Sequence, residues 1–209
     1  AVLSQRQAEY GQFDAARRIA ARIPSALQRI AKFTDIAELQ AGDFDDKVAA
    51  AADVNLRLAF EQAKRATVEK EDRLRMFHAI AERAITLRYT RFAQEVLEFG
   101  YAILAKTPYD GNTPIVANYA ATMVRTGSRG RAMEIVRSMK SDIRHSYAIA
   151  SVARAFAESG SIEGAVPLFY LALQDTESLV EGDDKTKVLT HILIEQTRAG
   201  RLADAFTTA

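Results

Sequence analysis

Apolar residues along this chain recur at spacings of three and four, the period of one face of an α-helix, and no stretch alternates as a strand would. Leu3, Gln7 and Tyr10 open a short helix ending at Gly11, and Phe13, Ala16, Ile19, Ala20 and Ile23 form one face of the next. Pro24 fits the first turn of a third helix, with Leu27, Ile30, Ala31, Thr34, Ala37 and Leu39 inward and a stop at Ala41-Gly42. Asp43-Phe44-Asp45-Asp46 lacks the spacing of a calcium loop and reads as a helix start: Asp43 caps, while Asp45 and Asp46 face the positive end of the dipole. Phe44, Val48, Ala51, Ala52, Ala59, Ala63 and Ala66 carry that helix toward residue 67, and Glu69-Lys70-Glu71-Asp72 is the expected break. Leu74, Phe77, Ile80, Ala81, Ala84 and Leu87 make the next inward stripe, followed by Phe92, Val96, Phe99, Ala102 and Ile103.

The stretch from Thr107 to Pro114 is the clearest loop, with Thr113 as N-cap and Pro114 in the first turn of the helix beyond. An acidic loop, Asp175 to Asp184, leads into a helix containing Val188, Leu189, Ile192 and Leu193. The pattern predicts an all-α chain of roughly a dozen helices in antiparallel pairs, with ten glycines and four prolines to punctuate them.

The chain also repeats itself. Gly127, Gly160 and Gly200 are each followed five residues later by an alanine: Ala132, Ala165 and Ala205. Four beyond the first two alanines come Val136 and Phe169, then Met139 and Ala172. Twelve before the alanines stand Ala120, Ala153 and Leu193, and nine before stand Met123, Phe156 and Gln196. Such offsets put small residues where two helices cross and large ones where neighbouring pairs stack. Gly11 with Ala16 keeps the signature, whereas Gly42 leads to Lys47 and Thr90 to Glu95, and the spacings run 31, 48, 37, 33 and 40 residues.

This pattern resembles a divergent tetratricopeptide repeat, a helix–turn–helix module of about 34 residues. The resemblance covers one repeat domain over residues 1–209. Its units are degenerate over about 1–110 and clearer at about 114–140, 144–174 and 185–209; the tryptophan frequent in the family is missing. It implies an α-solenoid, a superhelix whose concave face, lined by the first helix of each pair, binds a protein or peptide as a scaffold or adaptor. It places Asn118, Ala121, Arg125, Tyr147, Ser151, Arg154, Lys187, His191, Ile194 and Arg198 on that face. Arg125, Arg154, Lys187 and Arg198 have no acidic residue among them, so an acidic segment is the expected partner. The family's carboxylate clamp is essentially absent: Ala117, Ala121, Ser151 and His191 stand at its positions, and only Lys187 matches.

The stretch Tyr119…Gly127…Ala132…Met139-Lys140 is also similar to the RNA-binding pentatricopeptide relative. That array reads one base per repeat and needs near-constant spacing, which this chain lacks. A net charge of +1, from 28 basic and 27 acidic residues, adds no support for nucleic acid. The basic run Arg125, Arg129, Arg131, Arg137, Lys140 and Arg144 reads as solvated turn and helix-end positions in preference to a phosphate-binding face.

Chemistry-bearing motifs are scarce. His78, His145 and His191 are too scattered for a helical zinc motif, and there is no cysteine. Gly127-Ser128-Arg129-Gly130 and Gly160-Ser161-Ile162-Glu163-Gly164 match neither a phosphate loop nor a nucleophile elbow. No enzyme, cofactor or metal is expected; a regulatory or structural part of a larger enzyme is the remaining alternative. The longest uncharged run, Gly111 to Val124, is too short and polar to span a bilayer. Absence of cysteine leaves the compartment open, with cytoplasm favoured over periplasm. The start without methionine and the stop at Ala209, inside an expected helix, suggest a fragment of a longer chain. They also leave an apolar face that self-association would cover.

Overall fold

A computed structural model describes residues 2–42, 51–104, 113–139 and 143–208. Among these residues there are twelve helices and no strand: α1 (Val2–Glu9), α2 (Phe13–Ala21), α3 (Ala26–Ala41), α4 (Ala52–Arg65), α5 (Lys70–Thr86), α6 (Thr90–Leu104), α7 (Thr113–Arg125), α8 (Arg129–Arg137), α9 (Ile143–Glu158), α10 (Ile162–Glu177), α11 (Asp183–Arg198) and α12 (Leu202–Thr208). They gather into two compact units, Ala1–Gly100 and Tyr101–Ala209. The expected helix start at Asp43–Asp46, with Phe44 and Val48, and residues 107–112 of the expected Thr107–Pro114 loop lie outside the described residues.

In the first unit most helices fall where periodicity puts them, but α4 opens at Ala52 with Ala51 as its N-cap, well after the start expected at Asp43, and several faces are rotated. Leu27 and Leu39 of α3 are exposed, and the buried set is Ile30, Phe33, Thr34, Ile36, Ala37 and Gln40. Pro24 precedes the cap rather than entering the first turn; Ser25 caps, its Oγ accepting from the Gln28 N–H at 3.4 Å. The break before α5 is 66–69, and Glu71 and Asp72 belong to the first turn of α5, where the helix dipole favours them. Phe60 anchors this core. Its ring meets Phe77, Phe92 and Phe99 edge-on at 5.7, 5.8 and 5.7 Å, an arrangement favoured by the ring quadrupoles. Phe99, expected inside, is 42% exposed, and Lys64 lies over its ring at 5.8 Å. Ala93 and Leu97 are buried in its place.

The turns share one geometry. At Gly127 the backbone is left-handed (φ 93°), the Gly127 N–H bonds to Val124 O, and the Ser128 N–H reaches back to Met123 O. Gly11, Gly160 and Gly200 repeat both bonds and the positive φ, closing the last carbonyls of the preceding helix. The fifth such turn is at Arg88 (φ 65°), with Arg88 N–H to Ile85 O and Tyr89 N–H to Ala84 O. The third unit therefore aligns on Arg88 and the fully buried Ala93, two residues before the Thr90 and Glu95 expected from sequence. Gly42, at φ −87°, does not make this turn.

In the second unit α7 pairs with α8, α9 with α10, and α11 with α12. Helix α9 also packs on α7 and α11, so the first helices of the three pairs form one layer with α9 in the middle. This position demands small side chains, and Ala148, Ala150, Ala153 and Ala155 are fully buried. Gly164 serves the same end on α10: a Cβ there would sit 2.9 Å from the Phe156 ring. Ala132 and Ala165 are completely buried and Ala205 is 6% exposed, at the crossings their spacing predicts.

Candidate functional site

Helices α7, α9 and α11 enclose a groove of about 430 Å³. At one end it is apolar, with Pro114 and Ala117 from α7 and Ile143 from α9. Toward the other end polar groups converge. The Tyr147 ring lies against the His191 imidazole with centroids 4.4 Å apart and planes tilted by 34°. His191 Nε2 is 3.2 Å from Ser151 Oγ. Next along the groove, Arg154 Nε donates to Glu195 Oε2, and Arg198 Nη1 donates to Glu195 Oε1 at 3.0 Å. A second arm of Arg154 reaches Glu158 at 2.7 Å.

Burial pushes the His191 pKa below the ordinary imidazole value, with Arg198 and Arg154 acting the same way against the pull of Glu195. The ring is therefore neutral at neutral pH. Burial likewise raises the Tyr147 phenol, which keeps its proton and remains a donor. Glu195 is only 2% exposed, and its two oxygens are each held by a guanidinium, which makes its burial as an anion tolerable.

Of the ten residues placed on this face from sequence, six line this groove: Asn118, Tyr147, Ser151, Arg154, His191 and Arg198. Four do not. Arg125 is exposed at the end of α7, with Nη2 donating to Thr122 Oγ1 at 2.8 Å, and Lys187 pairs with Asp184 at 3.4 Å. Ala121, also mapped to this face, is 2% exposed and belongs to the core, while Ile194 is exposed but outside the lining. Sequence reasoning missed Glu195 and so described a face of arginines with no counter-charge. The signal was present: Glu195 stands four after His191 and three before Arg198, neighbours on one helical face.

The basic run disperses. Arg129 donates to Ser159 Oγ at 3.2 Å and covers the Phe156 ring, Arg131 pairs with Glu134 and stacks on Tyr101, and Arg144 lines the groove. Lys140 lies outside the described residues. A second hollow, about 390 Å³, opens between α10, α11 and α12 beside Phe169, Tyr170 and Leu189. Among the described residues no group of three histidine or carboxylate side chains is placed to hold a metal ion, and no helix is long and apolar enough to cross a membrane.

Helix pairs in sequence order, five of them closed by the same left-handed turn with a buried alanine five positions on, define the architecture. The described residues form an all-α array of helix pairs. No family model and no curated protein matches the chain. Among solved structures, it is similar to a Podosopora anserina chain described as a kinesin light chain with nearly identical TPR-like repeats. The match is 19% identical, with a TM-score of 0.41, over 83% of this chain and 91% of that one.

Proposed function

We propose that this chain is a protein-interaction scaffold whose second unit holds an extended segment of a partner protein in the groove between α7, α9 and α11. The reading rests on the groove itself, a concave site with an apolar end and a few convergent polar groups. Those groups are held in place by one another: Tyr147 by His191, His191 by Ser151, and both arginines by Glu195. A surface ordered in advance loses less entropy when a segment settles on it. Asn118, exposed at the rim, supplies amide donors and an acceptor suited to a partner backbone. Three lining arginines against one lining glutamate make an acidic segment the preferred partner. No catalytic step is assigned to these residues.

A photo-reactive amino acid placed at Asn118 in cells, with Val180 as an exposed control (89% exposed) outside the lining, tests this. The expected result is one protein segment cross-linked from Asn118, not from Val180, and lost when Tyr147 is changed to alanine. Equal capture from both positions, or RNA as the cross-linked species, would overturn it.

A further inference from the structure

Each arginine facing the groove's polar end is already engaged by a carboxylate of the same chain. Arg154 divides its guanidinium between Glu195 and Glu158. Arg198, with its side chain 61% exposed, makes its hydrogen bond to Glu195 through Nη1 alone. A guanidinium carries five N–H donors in a planar fork, so Arg198 retains donors for a second carboxylate arriving from solvent. Arg154, held on two sides and 23% exposed at its side chain, is a fixed neighbour that adds field without offering an open fork.

We infer that Glu195 sets the charge preference of the groove: a buried internal anion that orients Arg198 toward the partner while damping the attraction of an acidic segment. This deepens the groove reading and rests on it. The occupant it specifies is a peptide segment bearing carboxylates, the charge complement of Arg144, Arg154 and Arg198. With Glu195 and Glu158 in place, the charges of Arg154 and Arg198 are offset, and the groove's preference for an acidic over a neutral segment is reduced to a modest one.

The discriminating experiment measures fluorescence anisotropy of two labelled eight-residue peptides, one glutamate-rich and one glutamine-rich, on the wild type and on Glu195→Gln. Glutamine keeps the shape and an acceptor for the arginines and removes the charge. The expected result is a gain of about tenfold in affinity for the glutamate-rich peptide, steeper loss of that affinity with salt, and no change for the glutamine-rich one. Glu158→Gln is the second variant: its carboxylate is 35% exposed, so the change needs no repacking, and it should give a smaller gain, about two- to threefold. Adding Arg198→Gln to Glu195→Gln should abolish the gain. Equal affinity of wild type and both variants for the acidic peptide, including binding too weak to measure in all three, overturns the inference. The groove assignment is judged separately, by the Asn118 cross-link.

Discussion

His191 carries an ionisable ring into a place that suits only its neutral form. Tyr147 covers one face, Ser151 meets Nε2, and Arg154 and Arg198 stand on either side of the buried Glu195 one turn on. Because burial lowers the folded-state pKa, the unfolded chain binds the proton more tightly than the folded one. The stabilisation from the neutral ring is therefore present in full above the unfolded value near 6.5 and is lost as pH falls through the lower folded value. Urea unfolding of the wild type should show a falling stability from pH 7.5 toward acid, and His191→Gln should flatten that slope over the same window. An unchanged slope in the variant would assign the pH dependence to other groups. The same residue explains how far the site was legible from sequence. The repeat resemblance put His191 and Arg198 on one face with Ser151 and Arg154 of the neighbouring helix, but it could not show that the histidine is half-buried or that a carboxylate lies between the arginines.

At the scale of single elements, the helix–turn–helix signature is a backbone requirement before it is a residue pattern. A left-handed residue ends the first helix in five of the pairs, and an L-residue with a side chain pays about 1–2 kcal/mol to sit there. Glycine meets the requirement at Gly160, where a Cβ would find open space and so only the backbone conformation restricts the choice. Arg88 meets it without being glycine, which is why matching on glycine misplaced the third unit by two residues. Arg88→Gly should stabilise the protein by about 1 kcal/mol, and Gly160→Ala should destabilise it by a similar amount, measured by denaturant unfolding. A destabilised Arg88→Gly would mean that the side chain makes contacts outweighing its strained backbone. Helix faces were read less well than helix positions. In α3 the expected Leu27 and Leu39 point to solvent, because the helix is covered by its neighbours α1, α2, α4 and α5 from directions that a single periodic stripe does not encode.

At the scale of the whole molecule, repeat architectures owe their stability to nearest-neighbour packing, so the best-covered helix should open last. In the second unit that is α9, which packs on α7, α10 and α11 and buries residues from Ser146 to Ala157 nearly all round. Helix α12 rests mainly on α11. Hydrogen exchange read by mass spectrometry should therefore show the slowest exchange in α9 and much faster exchange in α12; equal protection would contradict nearest-neighbour control. By itself the sequence determined the all-α class, the order of the helices, and the small residues at Ala132, Ala165 and Ala205, because these follow from local periodicity and from turns closed within a few residues. Only the tertiary structure decided that Arg88 replaces a glycine, that Arg125 and Lys187 stand outside the groove, and that Glu195 bridges Arg154 and Arg198 inside it. Those outcomes depend on which faces of separate helices meet, and burial and electrostatic pairing across forty residues of chain leave no local period to read.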